Sequence, residues 1–138
     1  MHLTSQIAQA AIKAGEQKVQ ELNEPSCLSI VDAGGNLIAF LRTDAAAFGL
    51  GDLATNKAYT AAALKVSTAD LYSDAQPGGE VFGIQGAATR PFVVFGGGIP
   101  VRWQGDVIAA VGVSGGPVEA DVAIATAMVD SILGSLSR

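Results

Sequence analysis

The sequence of 138 residues predicts a single α+β domain in which a five-stranded antiparallel sheet is flanked by helices. Three observations lead to this class. Apolar patterns of helical period stand at both ends of the chain. Short apolar runs occur in pairs joined by glycine-containing turns, as in β-hairpins. The strand–helix–strand alternation of a parallel sheet is missing, and strands joined by short turns must be antiparallel.

The beginning of the chain predicts a helix followed by a hairpin. Residues 3–22 keep their apolar side chains mostly on one helical face; Thr4 can cap the start, and Pro25 follows the end. The apolar runs Cys27–Val31 and Asn36–Leu41 predict two strands, because the segment between them contains a glycine pair suited to a tight turn.

The middle of the chain predicts two helices and a loop. Asp52 can cap an alanine-rich helix over Leu53–Lys65. Ser67 and Asp70, three residues apart, resemble a capping box for a second, short helix. The stretch Gln76–Glu80 breaks the pattern with proline and glycine and predicts an irregular loop.

The last part of the chain predicts three strands and a helix. Pro91–Phe95 is one strand, which the triple glycine Gly96–Gly98 ends or kinks. Ile99–Trp103 and Asp106–Ser114 form a second hairpin around a Gln-Gly turn. A helix with Pro117 at its first helical position follows, and its apolar residues lie on one side.

Composition and charge exclude several classes of function. The net charge is −5 and the eight lysines and arginines are spread along the chain, so neither nucleic acid nor an anionic membrane is an expected partner. Cys27 is the only cysteine, which favours a reducing compartment. The first residues lack the apolar region of a signal peptide, and no apolar run is long enough to span a bilayer. We therefore expect a cytoplasmic protein.

Ser114 lies in a G-x-S-x-G pattern, which holds the serine nucleophile in many hydrolases. A serine needs a base to remove its proton, and in that family of hydrolases the histidine follows the serine in the chain. The only histidine here is His2, far upstream. We interpret the glycines instead as the place where a strand turns into a helix.

The glycine pair Gly115-Gly116 also raises the possibility of a phosphate site, because free N–H groups at a helix start bind anions. Pro117 removes one such donor, and Glu119 and Asp121 place negative charge in the first turns. Neither a P-loop nor a dinucleotide-binding pattern occurs, so a phosphate site is not favoured.

Metal ligands are scarce in the sequence. One histidine and one cysteine, with scattered acids, provide no zinc-binding pattern. Haem iron needs only one axial ligand from the protein, so haem is compatible with this composition. His2 is the metal-ligating candidate, with the methionines as other donors.

Besides Ser114, five further polar residues are candidates for ligand binding, and all of these five except Arg90 also have a simpler structural explanation. Asp32 is placed to form an Asx turn, Arg42 and Asp44 a surface ion pair, and Lys57 a solvated helix face. Arg90 precedes a predicted strand and can hold a carboxylate. The lysine and two arginines would form an anion-binding cleft if the fold brings them together.

Four stretches of the sequence resemble the GlcG/HbpS family: "SIVDAGGNLIAFLRTD", "ATNKAYTAAA", "GGGIPV" and "AAVGVSGGPVEADVAIATA". The resemblance covers nearly the whole chain in order. It implies a profilin-like sandwich, self-association from dimers to octamers and, in some members, binding of haem or a related tetrapyrrole. The matching positions are Asp32, Gly34, Gly35, Arg42, Asp44, Lys57, Gly97, Pro100, Ser114, Gly115 and Asp121. Most of these, with Gly116, are interpreted as turn and packing positions.

Three functions follow from residues and resemblance together. The first is an oligomeric small-ligand-binding protein, with haem or a related tetrapyrrole as the best named ligand. The second is an accessory enzyme for a small carboxylated catabolic metabolite, in which Lys57 and Arg42 position the anion and Asp32 or Asp44 moves a proton. The third is a structural subunit without a ligand.

Overall fold

The computed structural model describes residues 3–138, and within this range it contains three α-helices, three short 3-10 helices and four β-strands. The α-helices and strands are α1 (Ser5–Leu22), β1 (Cys27–Asp32), β2 (Leu37–Arg42), α2 (Leu50–Leu64), β3 (Gly98–Trp103), β4 (Asp106–Ser114) and α3 (Val118–Leu136). The 3-10 helices are Thr68–Leu71, Ser73–Ala75 and Ile84–Gly86. None of the helices in residues 3–138 has the length and apolar character needed to cross a membrane.

The four strands form one antiparallel sheet in the order β2–β1–β4–β3. Both predicted hairpins are confirmed, since β1 pairs with β2 and β3 pairs with β4. The two hairpins join through β1 and β4, where Cys27 lies opposite Ser114. The α+β class is therefore confirmed, with a four-stranded sheet.

The predicted fifth strand over Pro91–Phe95 is absent, because the backbone donors of this segment are used elsewhere. Pro91 has no N–H to offer to a neighbouring strand. The Phe92 N–H donates to the Gln85 carbonyl at 3.3 Å, and the Val93 N–H donates to the Thr60 hydroxyl at 2.9 Å. The segment therefore crosses α2 as irregular backbone.

Helices cover both faces of the sheet. Successive β1 side chains point to opposite faces: Leu28 and Ile30 pack with α1 and α3, whereas Val31 packs with the alanines of α2. The larger core therefore lies between the sheet and the α1–α3 pair, and a thinner layer of small residues separates the sheet from α2.

Close packing of α2 depends on Gly112 in β4. A Cβ atom built at Gly112 would collide with the backbone of α2, at the Ala54 carbonyl oxygen and the Ala58 nitrogen. Without a side chain at this position, the helix backbone rests directly on the strand. This brings the α2 side chains that point inward unusually close to the ends of β3 and β4.

Of the first two predicted helix starts, one is confirmed and one differs from the structure. Thr4 caps α1 as predicted, accepting a hydrogen bond from the Ile7 N–H at 3.2 Å. The prediction of Asp52 as the cap of α2 was wrong, because the helix begins three residues earlier and Gly49 is its cap. Asp52 instead lies in the first turn, where its charge suits the helix dipole.

The other two predicted starts are also shifted. Ser67 precedes a 3-10 helix, but its side chain makes no capping hydrogen bond, so the predicted capping box with Asp70 does not form. Pro117 is the cap residue of α3, with an extended ψ of 147°, and Val118 is the first helical residue.

We expect Gly112→Ala to lower the free energy of unfolding by about 3 kcal/mol, because the new methyl group meets backbone atoms that cannot move aside. Gly134→Ala is the matched control: Gly134 lies inside α3 with open space around it, so alanine should raise stability by roughly 0.5–1 kcal/mol. Urea unfolding measures both. Equal effects of the two substitutions would contradict the close contact between α2 and β4.

Candidate functional site

A buried ion pair joins the helices on the two faces of the sheet. The Lys57 side chain of α2 is fully buried, with its Nζ 3.1 Å from Asp121 Oδ2 of α3. The same Nζ donates to the Val113 carbonyl oxygen at 2.8 Å and lies 4.9 Å from the centroid of the Phe95 ring. Lys57 therefore links α2, α3 and β4. The prediction that it lies on a solvated helix face was wrong, because its side chain is fully buried.

The triple glycine Gly96–Gly98, which leads into β3, leaves space for the Lys57 side chain. Gly97 has a φ of +129°, and a Cβ atom there would lie 2.8 Å from Lys57 Nζ. A Cβ at Gly98 would meet the Lys57 carbonyl oxygen, and one at Gly96 would lie 2.8 Å from Val118 Cγ1. The three glycines thus pass between α2 and α3 with no side chain to separate the helices.

Burial works against both charges of the pair. It lowers the pKa of Lys57 and raises that of Asp121, and in each case the attraction of the partner opposes the shift. Asp121 Oδ1 also accepts a hydrogen bond from the Gly116 N–H at 3.3 Å. The carboxylate therefore occupies a donor of the glycine pair that a phosphate would otherwise use.

An apolar groove opens directly beside the ion pair. Its lining residues come from the first 3-10 helix, from the segment before β3 and from the start of α3: Ala69, Tyr72, Phe95, Gly96 and Val118. Its volume is about 430 Å³. Tyr72 and Val118 are 55% and 45% exposed, while Phe95 forms the wall shared with Lys57. The groove therefore offers an open apolar surface, and the buried Lys57 ammonium lies behind its Phe95 wall.

Asp32 forms the Asx turn that the sequence predicts. Its Oδ1 accepts hydrogen bonds from the Gly34 N–H and the Asn36 N–H, both at 2.9 Å. These donors, led by the Asn36 N–H, lower the pKa of Asp32. Gly35 completes the turn with a φ of +84°, and a Cβ atom there would lie 2.8 Å from the Tyr59 ring.

The predicted ion pair between Arg42 and Asp44 does not form in the described part of the chain. Arg42 Nη1 instead donates to the Ala46 carbonyl oxygen at 3.0 Å. Asp44 lines a separate groove of about 200 Å³ between the end of α1 and the residues after β2.

Arg90 lies against the outer side of α2. Its guanidinium is 3.9 Å from the centroid of the Tyr59 ring, and its Nε donates to Asn56 Oδ1 at 3.1 Å. Since Lys57 is buried against Asp121 and Arg42 bonds to Ala46, the structure does not bring the three cations into one open cleft.

Ser114 is buried at the end of β4, opposite Cys27. The chain's histidine, His2, lies outside the described residues. A Cβ atom at Gly115 would meet Ser26, and one at Gly116 would meet the Glu24 carboxylate, so these glycines allow close packing against the end of α1. Residues 3–138 contain no group of three or more histidine, cysteine or acidic side chains that could hold a metal ion.

The role of Asp121 and the residues of the groove were not predicted from the sequence. Asp121 was interpreted through the helix dipole, but it lies on the buried face of α3 with Ala125 and Met128, at helical spacings of four and seven. An acid on an otherwise apolar buried face is the signal that predicts a buried cation as its partner.

A family model described as haem degrading protein HbpS-like matches residues 3–130. The chain belongs to the HbpS-like family. A 15.0 kDa protein from the dhaT–dhaS intergenic region of Citrobacter freundii is 41% identical over 128 residues, covering 93% of this chain and 90% of the relative. The family assignment confirms the resemblance found in the sequence.

A further relative and a solved structure are similar to nearly the whole chain. The corrinoid adenosyltransferase PduO of Citrobacter freundii is 35% identical over 132 residues, which cover 96% of this chain but only 39% of PduO. The crystal structure of a PduOC–haem complex superimposes with a TM-score of 0.90 at 33% identity and covers 95% of both chains.

We expect Lys57→Met to destabilise this HbpS-like protein by about 3–5 kcal/mol, because Asp121 then remains buried without its cation. The double variant Lys57→Met/Asp121→Leu should lose at least about 2 kcal/mol less than the sum of the two single changes. Lys18→Met is the control: its pair with Glu21 is exposed, so the change should stay below about 1 kcal/mol. If the double variant loses as much free energy of unfolding in urea as the two single variants together, the coupling between Lys57 and Asp121 is contradicted.

We expect Asp32→Ala to cost about 1 kcal/mol or less at pH 7, since the lost hydrogen bonds are exposed. The folded pKa of Asp32 lies below its usual value of 3.8, so its contribution is present above pH 3.8 and is lost as the pH falls through the folded pKa. The stability difference from the native protein should therefore shrink in acid.

The control for this pH dependence is Asp32→Asn, which keeps the oxygen acceptor but does not titrate. Urea unfolding of Asp32→Asn and Asp32→Ala should show a difference between these two variants that does not change with pH. If the difference in free energy of unfolding between the native protein and Asp32→Ala stays constant down to pH 2, the stabilisation does not come from the Asp32 carboxylate.

Proposed function

We propose that this HbpS-like protein binds haem or a related tetrapyrrole. The observation that carries the proposal is the haem complex of PduOC, a structure with a TM-score of 0.90 and 33% identity over 95% of both chains. Similarity of this extent makes a shared ligand class the first hypothesis to test. The description of the matching family as haem degrading supports the same ligand.

The apolar groove beside the Lys57–Asp121 pair suits a flat macrocycle. Its volume of about 430 Å³ lies within the usual range of small-molecule sites, roughly 300–1,000 Å³. Phe95 and Val118 offer apolar surface, and the exposed Tyr72 ring adds to it. We therefore place the macrocycle on this groove.

The donor set in the described residues includes one exposed side chain that haem iron accepts. The Tyr72 phenol lines the groove and is 55% exposed, and tyrosine is an established axial ligand of haem. Met128 and Cys27 are fully buried in the fold and do not reach the groove surface. The earlier candidate His2 lies outside the described residues and stays a prediction.

We also propose that the protein works in the cytoplasm as a homo-oligomer. The single, buried cysteine suits a reducing compartment. Phe48 is 85% exposed and Leu37 on the edge strand β2 is 57% exposed, which is the kind of apolar surface that self-association covers.

The accessory-enzyme alternative has less support from the geometry. It uses Lys57 and Arg42 to position an anion, but Lys57 is buried with Asp121 and Arg42 bonds to Ala46. We therefore retain ligand binding as the proposed function.

Titration of the purified protein with hemin tests the proposal. We expect a saturable shift of the Soret band, and Val118→Glu should weaken binding at least about tenfold because it places a charge on the apolar groove. Phe82→Glu is the matched control, since it removes exposed apolar surface that does not line the groove.

The donor is identified by comparing Tyr72→Phe with His2→Ala, because only loss of the axial ligand changes the absorption spectrum of the bound haem. A titration without saturation would contradict the proposal that the protein binds haem. Equal weakening by Val118→Glu and Phe82→Glu would show adsorption to apolar surface instead of binding in the groove.

A further inference from the structure

Arg90 is held rigidly on the outer side of α2, although it lies in an irregular segment. The guanidinium stacks on the Tyr59 ring at 3.9 Å, and its Nε bonds to Asn56 Oδ1 at 3.1 Å. The Tyr59 ring is itself stacked on Phe92, with centroids 6.2 Å apart and planes at 13°. Two direct contacts therefore fix the plane of the guanidinium before any ligand arrives, and Phe92 supports the ring on which it stacks.

The backbone around Arg90 is anchored to the same helix. The Val93 N–H donates to the Thr60 hydroxyl at 2.9 Å, and this hydroxyl donates to the Asn56 carbonyl oxygen at 2.7 Å. The connection between α2 and β3 contains three 3-10 helices, and Arg90 lies in the irregular stretch that follows the last of them. The anchoring thus holds one cation of a long loop in a fixed place.

The fixed cation has unused donors and no acidic partner. Within residues 3–138, neither terminal nitrogen of Arg90 makes a hydrogen bond, and no carboxylate lies within ion-pair distance. Because Asn56 accepts through its oxygen, its Nδ2 amide group remains a donor, and it too makes no hydrogen bond in this range. In a chain of net charge −5, an arginine without an acid is poised to receive an external anion.

We propose that Arg90, Asn56 and Tyr59 form a binding site for a carboxylate. The two terminal nitrogens of Arg90 match the two oxygens of a carboxylate in a bidentate pair, which a lysine cannot reproduce. The half-buried Tyr59 and Phe92 rings beside the guanidinium favour a carboxylate that carries an aromatic or apolar group. The site shares no residue with the apolar groove.

Two sources can supply this carboxylate: a free organic acid or a propionate side chain of a bound tetrapyrrole. The second source rests on the proposed function, whereas the first does not. Separate measurements for the two sources therefore keep the failure of one proposal distinct from the failure of the other.

For the free acid, the probe is benzoate, and its binding to the full chain is measured by calorimetry. Benzamide is the neutral analogue. We expect benzoate to bind saturably and benzamide not to bind. Arg90→Gln and Arg90→Lys should each weaken benzoate binding about tenfold or more, because each removes the bidentate pair. Arg138→Gln is the control, since it removes the same charge from the exposed C-terminal residue.

For the propionate, the probes are hemin and hemin dimethyl ester, whose propionates are capped. We expect hemin to bind about tenfold more tightly than the ester, and Arg90→Gln to abolish this difference while leaving ester binding unchanged. Thermal unfolding of each variant shows that the fold is kept.

An Arg90-dependent preference for the carboxylate in either measurement supports the site. The site is overturned when neither benzoate nor the propionates show such a preference, or when Arg138→Gln has the same effect as Arg90→Gln. Hemin binding that fails while benzoate binding succeeds would count against the proposed function and leave the carboxylate site standing.

Discussion

The buried ammonium group of Lys57 is the constraint on which the rest of this fold depends. A charge taken out of water is strongly unfavourable unless it is paired and hydrogen-bonded, and Lys57 meets this condition only where α2, α3 and β4 come together. Asp121 supplies the opposite charge and Val113 a carbonyl oxygen, while the Phe95 ring lies beside the ammonium. The positions of the two helices on opposite sheet faces are therefore coupled through one side chain.

Small residues make this coupling geometrically feasible. Gly112 lets the α2 backbone touch the sheet, and the triple glycine leaves a passage for the lysine side chain between α2 and α3. Beside Gly96, the side chains of Val118 and Val122 fill the space that a Cβ atom would need, and Val118 also lines the apolar groove. The groove thus lies next to the packing that accommodates the ion pair, and Phe95 belongs to both.

One helix serves both proposed sites. Lys57 points inward from α2 and supports the groove through Phe95 and Asp121. Asn56 and Tyr59, its neighbours in sequence, hold the guanidinium of Arg90 on the outer side. The long connection after α2 returns along this helix and contributes both Phe95 and Arg90, so its irregular backbone carries residues of both sites.

The sequence by itself determined the class of the fold, both hairpins, the Thr4 cap, the Asx turn at Asp32 and the family. The local features depend on residues that are close together in the chain, and the family is indicated by a run of motifs. Tertiary structure decided the rest. Pro91–Phe95 has the composition of a strand, but the Thr60 hydroxyl and the Gln85 carbonyl take its backbone donors, so the sheet stops at four strands. Lys57 has the pattern of a solvated lysine, and its burial follows from Asp121, a partner 64 residues further along the chain. Local patterns carry no information on such distant pairs, because the free energy of a buried charge depends on groups that only the folded chain brings within 4 Å.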